Sequence, residues 1–170
     1  MPICHIFHLK TYFTLVFKMA NYKRIFLDGY SYYLTVVTHN RNPILIDNIE
    51  LLRESFKESK EHYSYAIEAI VILPDHFHLV IKPKIAKEYP HIIRTIKQYF
   101  SKHCDKSYYA HIEQSPSRQK EGYTPIWQKK YYEHTIRDTQ DHKSILAYMY
   151  HNPIKHGLVE KPDLWIYSSF

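Results

Sequence analysis

His76-Phe77-His78 is the triplet in this chain that most directly offers chemistry. In a strand, residues two apart point to the same face of the sheet, so both imidazoles can converge on one point while Phe77 enters the opposite side. Two convergent imidazoles can hold a metal ion. Leu79 and Ile81 continue the Phe77 row, which leaves the histidines on the sheet surface that the apolar row does not occupy. Alone, the triplet is a weak pattern, because the chain has 13 His and composition by itself could supply such a pair.

The composition adds a second kind of group. There are 17 Tyr, each a flat face for stacking on bases, a hydroxyl for phosphates and, in the right setting, a nucleophile. Lys and Arg number 23 against 17 Asp and Glu, a formal charge of +6, which fits a polyanionic partner. Two cysteines with no CxxC pair and no disulfide-like spacing fit a reducing cytoplasm. The opening Met1 to Lys18 is apolar in patches but interrupted by Lys10, too broken for a signal peptide or a membrane span. Met19-Ala20 immediately precedes sequence that reads as the start of a domain, so residues 1–18 are expected outside the core, with a genuine N-terminal strand as the competing reading, and residues 19–170 as a single domain.

The elements that must position these groups can be read from periodicity. Tyr30 to Thr38 is aromatic and β-branched and predicts a strand. Asp47 with Glu50 resembles a capping box, and Ile49, Leu52 and Phe56 recur at helical spacing, predicting a helix to about Glu61. Tyr65 to Leu73 predicts a second strand, Pro74-Asp75 a break, and His76 to Lys82 its hairpin partner. Pro90 opens a second helix whose apolar face is Ile92, Ile93, Ile96, Tyr99 and Phe100. Asp105 to Thr124 has no clear period and predicts a long loop. Ile126 to Ile136 predicts a fourth strand. Asp138 then caps a helix that must end near Asn152-Pro153, since proline disfavours helical geometry in the residue before it. The order β-α-β-β-α-β-α predicts an α+β fold in which an antiparallel sheet packs helices on one face.

Leu73-Pro74-Asp75-His76-Phe77-His78-Leu79-Val80 resembles the histidine-hydrophobe-histidine motif of the HUH endonucleases, in the form found in single-tyrosine transposases. Trp127 to Asp138 is similar to a second block of that family, and Tyr148-Met149-Tyr150-His151-Asn152-Pro153-Ile154-Lys155-His156-Gly157-Leu158-Val159 to the segment that follows it in REP-associated, IS200-like tyrosine transposases. The three blocks stand in the family order, and the likeness runs from about Asn21 to Phe170.

The resemblance implies a ferredoxin-like sheet with the histidines on a central strand and a catalytic tyrosine on a helix facing it. Position by position, His76 and His78 match the metal-binding pair, Tyr148 the nucleophile and Asn152 a third, helix-borne ligand. Residues four apart on a helix share a face with ~6 Å of rise between them, so Tyr148 and Asn152 could reach one phosphate. As a residue before proline, Asn152 can equally be a helix terminator, with His151 or a water completing the coordination. Tyr150 is the rival nucleophile, rotated about 200° from Tyr148 on an ideal helix.

The implied reaction is cleavage and rejoining of single-stranded DNA through a 5′-phosphotyrosine, with a divalent metal, magnesium or manganese, and hairpin-forming repeats as substrate. Candidate DNA contacts are Lys97, Lys102, Lys129, Lys130, Arg137 and Lys155, interleaved with Trp127, Tyr131 and Tyr132. A monomer or a homodimer in the cytoplasm, without membrane association, is expected. Two rivals make different predictions: a DNA-binding module that has lost transposition, and a metal phosphoesterase that uses water as nucleophile.

Overall fold

A computed structural model describes residues 24–170; the expectation for residues 1–18 falls outside them. The chain runs through β1 (Tyr32–Val37), α1 (Ile49–His62), β2 (Tyr65–Leu73), β3 (His76–Pro83), α2 (Tyr89–His103), a short α3 (Pro116–Lys120), β4 (Tyr132–Thr135), α4 (Thr139–Tyr150) and a single-turn α5 (Asn152–Lys155). The four strands form one antiparallel sheet in the order β2-β3-β1-β4, so β3 lies inside it. This is the α+β architecture expected from the sequence.

Strand alternation sorts the side chains into two layers. Tyr32, Leu34 and Val36 of β1 and Phe77, Leu79 and Ile81 of β3 point to one face, where α1 brings Leu52 and Phe56 and α2 brings Ile92, Ile93, Ile96 and Phe100. Each such buried side chain contributes ~1.5–3 kcal/mol by leaving water. A slip of β3 by one residue would turn its apolar row outward, so this row sets the register and, with it, the direction of His76 and His78. On the other face, Tyr33, Val71, Leu73 and Val80 form a smaller cluster with Met149 of α4, joined at its edge by Ile145 and Leu146.

Three local details differ from the sequence expectation. The Asp47-Glu50 capping box does not form: Asn48 is the residue that precedes α1, and its side chain donates back to the Ile44 carbonyl instead of capping the helix. The strand expected over 126–136 is broken. Trp127 bridges Thr38 and Tyr132 pairs with Thr35, so residues 128–131 span what Val36 and Val37 span on β1, and the surplus bulges out. The stretch 105–124 is not featureless, since it contains a 3-10 turn at Lys106–Tyr108 and α3.

Helix α4 starts as expected, with the Asp138 carboxylate accepting from the Asp141 amide at 2.8 Å. It ends at Tyr150, and after His151 the chain begins α5 with Pro153 in the first turn. Gly157, at φ 68°, closes α5 in the left-handed conformation that glycine tolerates best. The following tail runs along the outer edge of β2, where Ile72 donates to the Tyr167 carbonyl (2.9 Å), Ser169 to Ile70 (3.0 Å) and the Trp165 indole to Ile72 (2.8 Å). That covers an otherwise open strand edge.

Candidate active site

His76 and His78 lie on the α4 side of β3, each 3% exposed. His78 sits opposite Thr35 on β1 and Val71 on β2. Its Nδ1 is within 2.7 Å of the Tyr33 hydroxyl and 2.9 Å of Thr35 Oγ1. His76 is held through Nδ1 by Asp75 Oδ1 at 2.6 Å. Both rings are thus gripped on the same nitrogen, the arrangement that orients a ligating imidazole and leaves Nε2 as its outward lone pair. Burial, followed by the adjacent His76 and His156 rings, keeps His78 well below its usual pKa, so it stays neutral, the form that binds metals. Burial works against ionisation of Asp75, but the hydrogen bond and charge of His76, with Arg41 beyond, hold its carboxyl at about 2.

The α4–α5 junction supplies the other wall. The Tyr148 ring meets His78 with centroids 5.4 Å apart, and His156 lies 5.0 Å from His76. Tyr148 is 36% exposed, so part of its side chain stays open to solvent although the ring packs on His78. Burial raises its pKa; Asn152 and the Arg41 charge pull the other way. Lys155 Nζ lies 5.1 Å from the Tyr148 ring centroid. Tyr150 faces elsewhere, donating to Asp163 Oδ1 at 2.7 Å, and His151 is exposed.

Asn152 is fully buried and close enough to His78 and Tyr148 to bias the ionisation of both, yet no hydrogen bond of normal geometry reaches either atom of its amide, or His78 Nε2. Buried polar atoms are nearly always paired. Three that are not, in one place, make a site that is chemically incomplete without a further group. Among the described residues no three His, Cys, Asp or Glu side chains are placed to hold a metal ion by themselves. Two imidazoles and an amide oxygen therefore form a small donor set that suits a cation whose remaining positions are filled by phosphate oxygens or water.

The family model described as Transposase IS200 like matches residues 27–152. The chain belongs to the IS200-like transposase family. This transposase is 39% identical over 154 residues to a Haemophilus influenzae protein named as a REP-associated tyrosine transposase, covering 89% of this chain and 86% of the relative. It is 30% identical to the REP-associated tyrosine transposase of Escherichia coli K12, with 89% and 83% covered. Among solved structures it resembles a REP-associated tyrosine transposase bound to a REP hairpin, with a TM-score of 0.72 and 28% identity over 89% of this chain and 83% of that one.

The nine residues expected to contact DNA do not form one surface of the transposase. Lys155 lies beside Tyr148, and Tyr132 shares that face through its edge contact with Tyr33 at 6.0 Å. Trp127 is a core residue, 5% exposed between Phe77 and Phe100, and offers no free face to a base. Tyr131 packs towards α2 with Arg24 over its ring. Lys97 donates to the Gln128 carbonyl at 2.7 Å, and burial followed by Arg118 lowers its ammonium to about 8. Lys97 and Lys102 both belong to α2, across the sheet from Tyr148. Lys129 pairs with Glu121 and Arg137 with Asp141. Exposed Lys130 projects from the bulge.

The residues that grip the histidines, Tyr33, Thr35 and Asp75, and Arg41, which pairs with Asp75, were not singled out from sequence. Asp75 could have been, because it adjoins His76 at the hairpin turn.

Proposed function

We propose that this transposase nicks and rejoins single-stranded DNA through Tyr148, and that its substrate is a hairpin-forming repeat. The observation that carries the reading is the meeting of the Tyr148 phenol with His78 and with the unpartnered Asn152 amide. The names of the relatives, and the hairpin bound by the solved one, support the choice of substrate.

His76, His78 and Asn152 would hold magnesium or manganese. Such a cation, when bound, polarises the scissile phosphate and steadies the departing oxygen. The residues do the rest. Asp75 and the Tyr33–Thr35 pair hold the Nδ1 protons, which leaves Nε2 of each ring as the nitrogen free to ligate. A phenol of ordinary pKa ~10, raised further here by burial, is protonated at rest. Tyr148 Oη therefore loses its proton to solvent as it bonds to phosphorus, the P–O3′ bond breaks, and the 3′ oxygen takes up a proton. The products are a 5′-phosphotyrosine and a free 3′ hydroxyl. A second 3′ hydroxyl can run the step backwards, because the covalent link keeps the phosphodiester energy. Lys155, at the Tyr148 ring, is placed to meet the strand's phosphates, and exposed Tyr132 to stack on a base.

The test is incubation with an end-labelled single strand spanning inverted repeats beside the gene, in manganese, followed by a denaturing gel. A protein–DNA adduct is expected, lost in Tyr148→Phe and kept in Tyr150→Phe. Cleavage without an adduct would assign the attack to water, and binding without cleavage would leave a DNA-binding module.

A further inference from the structure

Asn40 and Arg41 both adopt left-handed backbone conformations, φ 53° and 57°, although neither is glycine. The left-handed conformation costs an ordinary residue such as Arg ~1–2 kcal/mol, and such strain persists where the surroundings over-determine it. Here they do. The Thr38 amide and hydroxyl both donate to the Asp75 carbonyl, at 2.9 and 2.8 Å, and the same hydroxyl lies 2.8 Å from the Asn42 carbonyl. The Leu45 amide donates to the Pro74 carbonyl at 2.9 Å, and the Asn42 amide group to Tyr108 at 2.8 Å. The turn after β1 is therefore fastened onto the β2–β3 turn.

The result of this fastening is the position of one guanidinium. Arg41 Nη1 lies 3.1 Å from Asp75 Oδ2 and 3.3 Å from His76 Nδ1. With Nδ1 donating to Asp75 Oδ1, the approach to the ring is proximity and not a hydrogen bond, so among the described residues Asp75 holds Arg41, through one of its five N–H groups. The side chain is 51% exposed, and its charge acts on Tyr148, His78 and His156. A solvent-exposed ion pair contributes ~0–1 kcal/mol, less than the strain of the turn that makes this one.

Taking the strand-cleavage reading as given, we infer that Arg41 binds a non-bridging oxygen of the scissile phosphate, and that Asp75 is the positioning residue that aims Arg41 and His76 together. A planar fork with donors to spare matches a phosphate in a way that a lysine at the same place would not. Negative charge grows on the non-bridging oxygens as Tyr148 attacks, so the contact strengthens in the transition state.

The experiment compares the unaltered protein with Arg41→Asn and Arg41→Lys. Asn tolerates the left-handed backbone, and Lys keeps the charge without the fork. The nick is first mapped on the ordinary repeat strand, and each protein is then given that strand and both stereoisomers of a methylphosphonate at the mapped position, where a methyl group replaces one non-bridging oxygen. On the ordinary strand Arg41→Asn should lose ~100-fold in adduct-forming rate. On one isomer the unaltered protein should fall similarly, and Arg41→Asn no further. Arg41→Lys should fall between the two while keeping the isomer preference, and it decides the question if Arg41→Asn fails to melt cooperatively. An equal factor of loss on all three strands, or a rate within ~2-fold of the unaltered protein, overturns the assignment. Absence of any adduct from the unaltered protein instead overturns the strand-cleavage reading itself.

Discussion

The phenol ring of Tyr148 and the imidazole of His78 meet edge to face, 78° between their planes, across the contact between α4 and β3. What keeps them there is the next residue along. Met149 is fully buried among Val71, Leu73 and Val80, and consecutive helix positions are turned by about 100°, so a residue locked into the sheet presents its neighbour to the histidines.

Truncating that lock should affect chemistry more than binding. Met149→Ala is expected to cost ~2–5 kcal/mol of stability and to slow adduct formation while hairpin affinity, read by gel shift, stays unchanged. Met149→Leu conserves volume and should cost less than ~1.5 kcal/mol. Equal loss of affinity and rate in the Ala variant would mean that the helix is unfolding instead of Tyr148 drifting.

Asn152 should oppose stability in the metal-free protein. Its amide is buried without a partner, and an unsatisfied buried polar group costs ~1–3 kcal/mol. Asn152→Leu, close in volume, is therefore expected to raise the urea midpoint in EDTA while abolishing adduct formation. It should also abolish the stabilisation that manganese gives the unaltered protein, ~2.7 kcal/mol at a hundredfold excess over Kd. A lower midpoint in EDTA would assign the amide a structural partner.

Tyr131 and Tyr132 are neighbours in sequence with opposite assignments. Tyr132 is 38% exposed on the Tyr148 side of the sheet, whereas Tyr131 packs against the α2 layer. Tyr132→Ala should weaken single-strand binding by ~1–3 kcal/mol with little change in melting temperature. Tyr131→Ala should lower the melting temperature and leave affinity nearly unchanged. Fluorescence anisotropy on a labelled single strand, with thermal melts of both variants, separates them; the opposite pattern would place the strand on the other face.

The same pair marks how far the sequence could be read. β2 is bounded as expected because an apolar run ends at Pro74-Asp75, and the period of two put both histidines on one face. Asp138 announced the start of α4. Core packing is the commoner fate of a Trp such as Trp127, but the packing of Tyr131 against the α2 layer was not legible, because the surplus residues in 128–131 interrupt the strand expected over 126–136. Tyr33, Thr35 and Arg41 could not be found at all, since they reach the histidines through the lateral register of β1 on β3 and through a turn. Periodicity within one segment carries no information about its neighbour's register. Tyr148 and Asn152 were drawn from family resemblance and not from spacing.

Asp141 ties β4 to the start of the helix that carries Tyr148, and its titration gives a pH test of that link. Its Oδ2 lies 2.8 Å from His134 Nε2 and accepts from the Arg137 amide at 3.0 Å and from Arg137 Nε at 3.3 Å. Burial acts to raise its pKa, but these contacts outweigh it and hold the carboxyl below its usual value. The unfolded chain, with an Asp pKa of ~3.9, therefore binds a proton at higher pH than the folded one, and stability falls as pH drops through that window. Asp141→Asn should cost roughly 1–3 kcal/mol at neutral pH, and the difference from the unaltered protein should shrink from about pH 5 downwards as the carboxylate protonates. Asp75, held at about 2, acts in the same direction but is common to both proteins and cancels in the difference. Urea titrations at a series of pH values measure it: a difference that stays constant down to the acid limit would mean that the carboxylate's charge contributes nothing to docking α4 on the sheet.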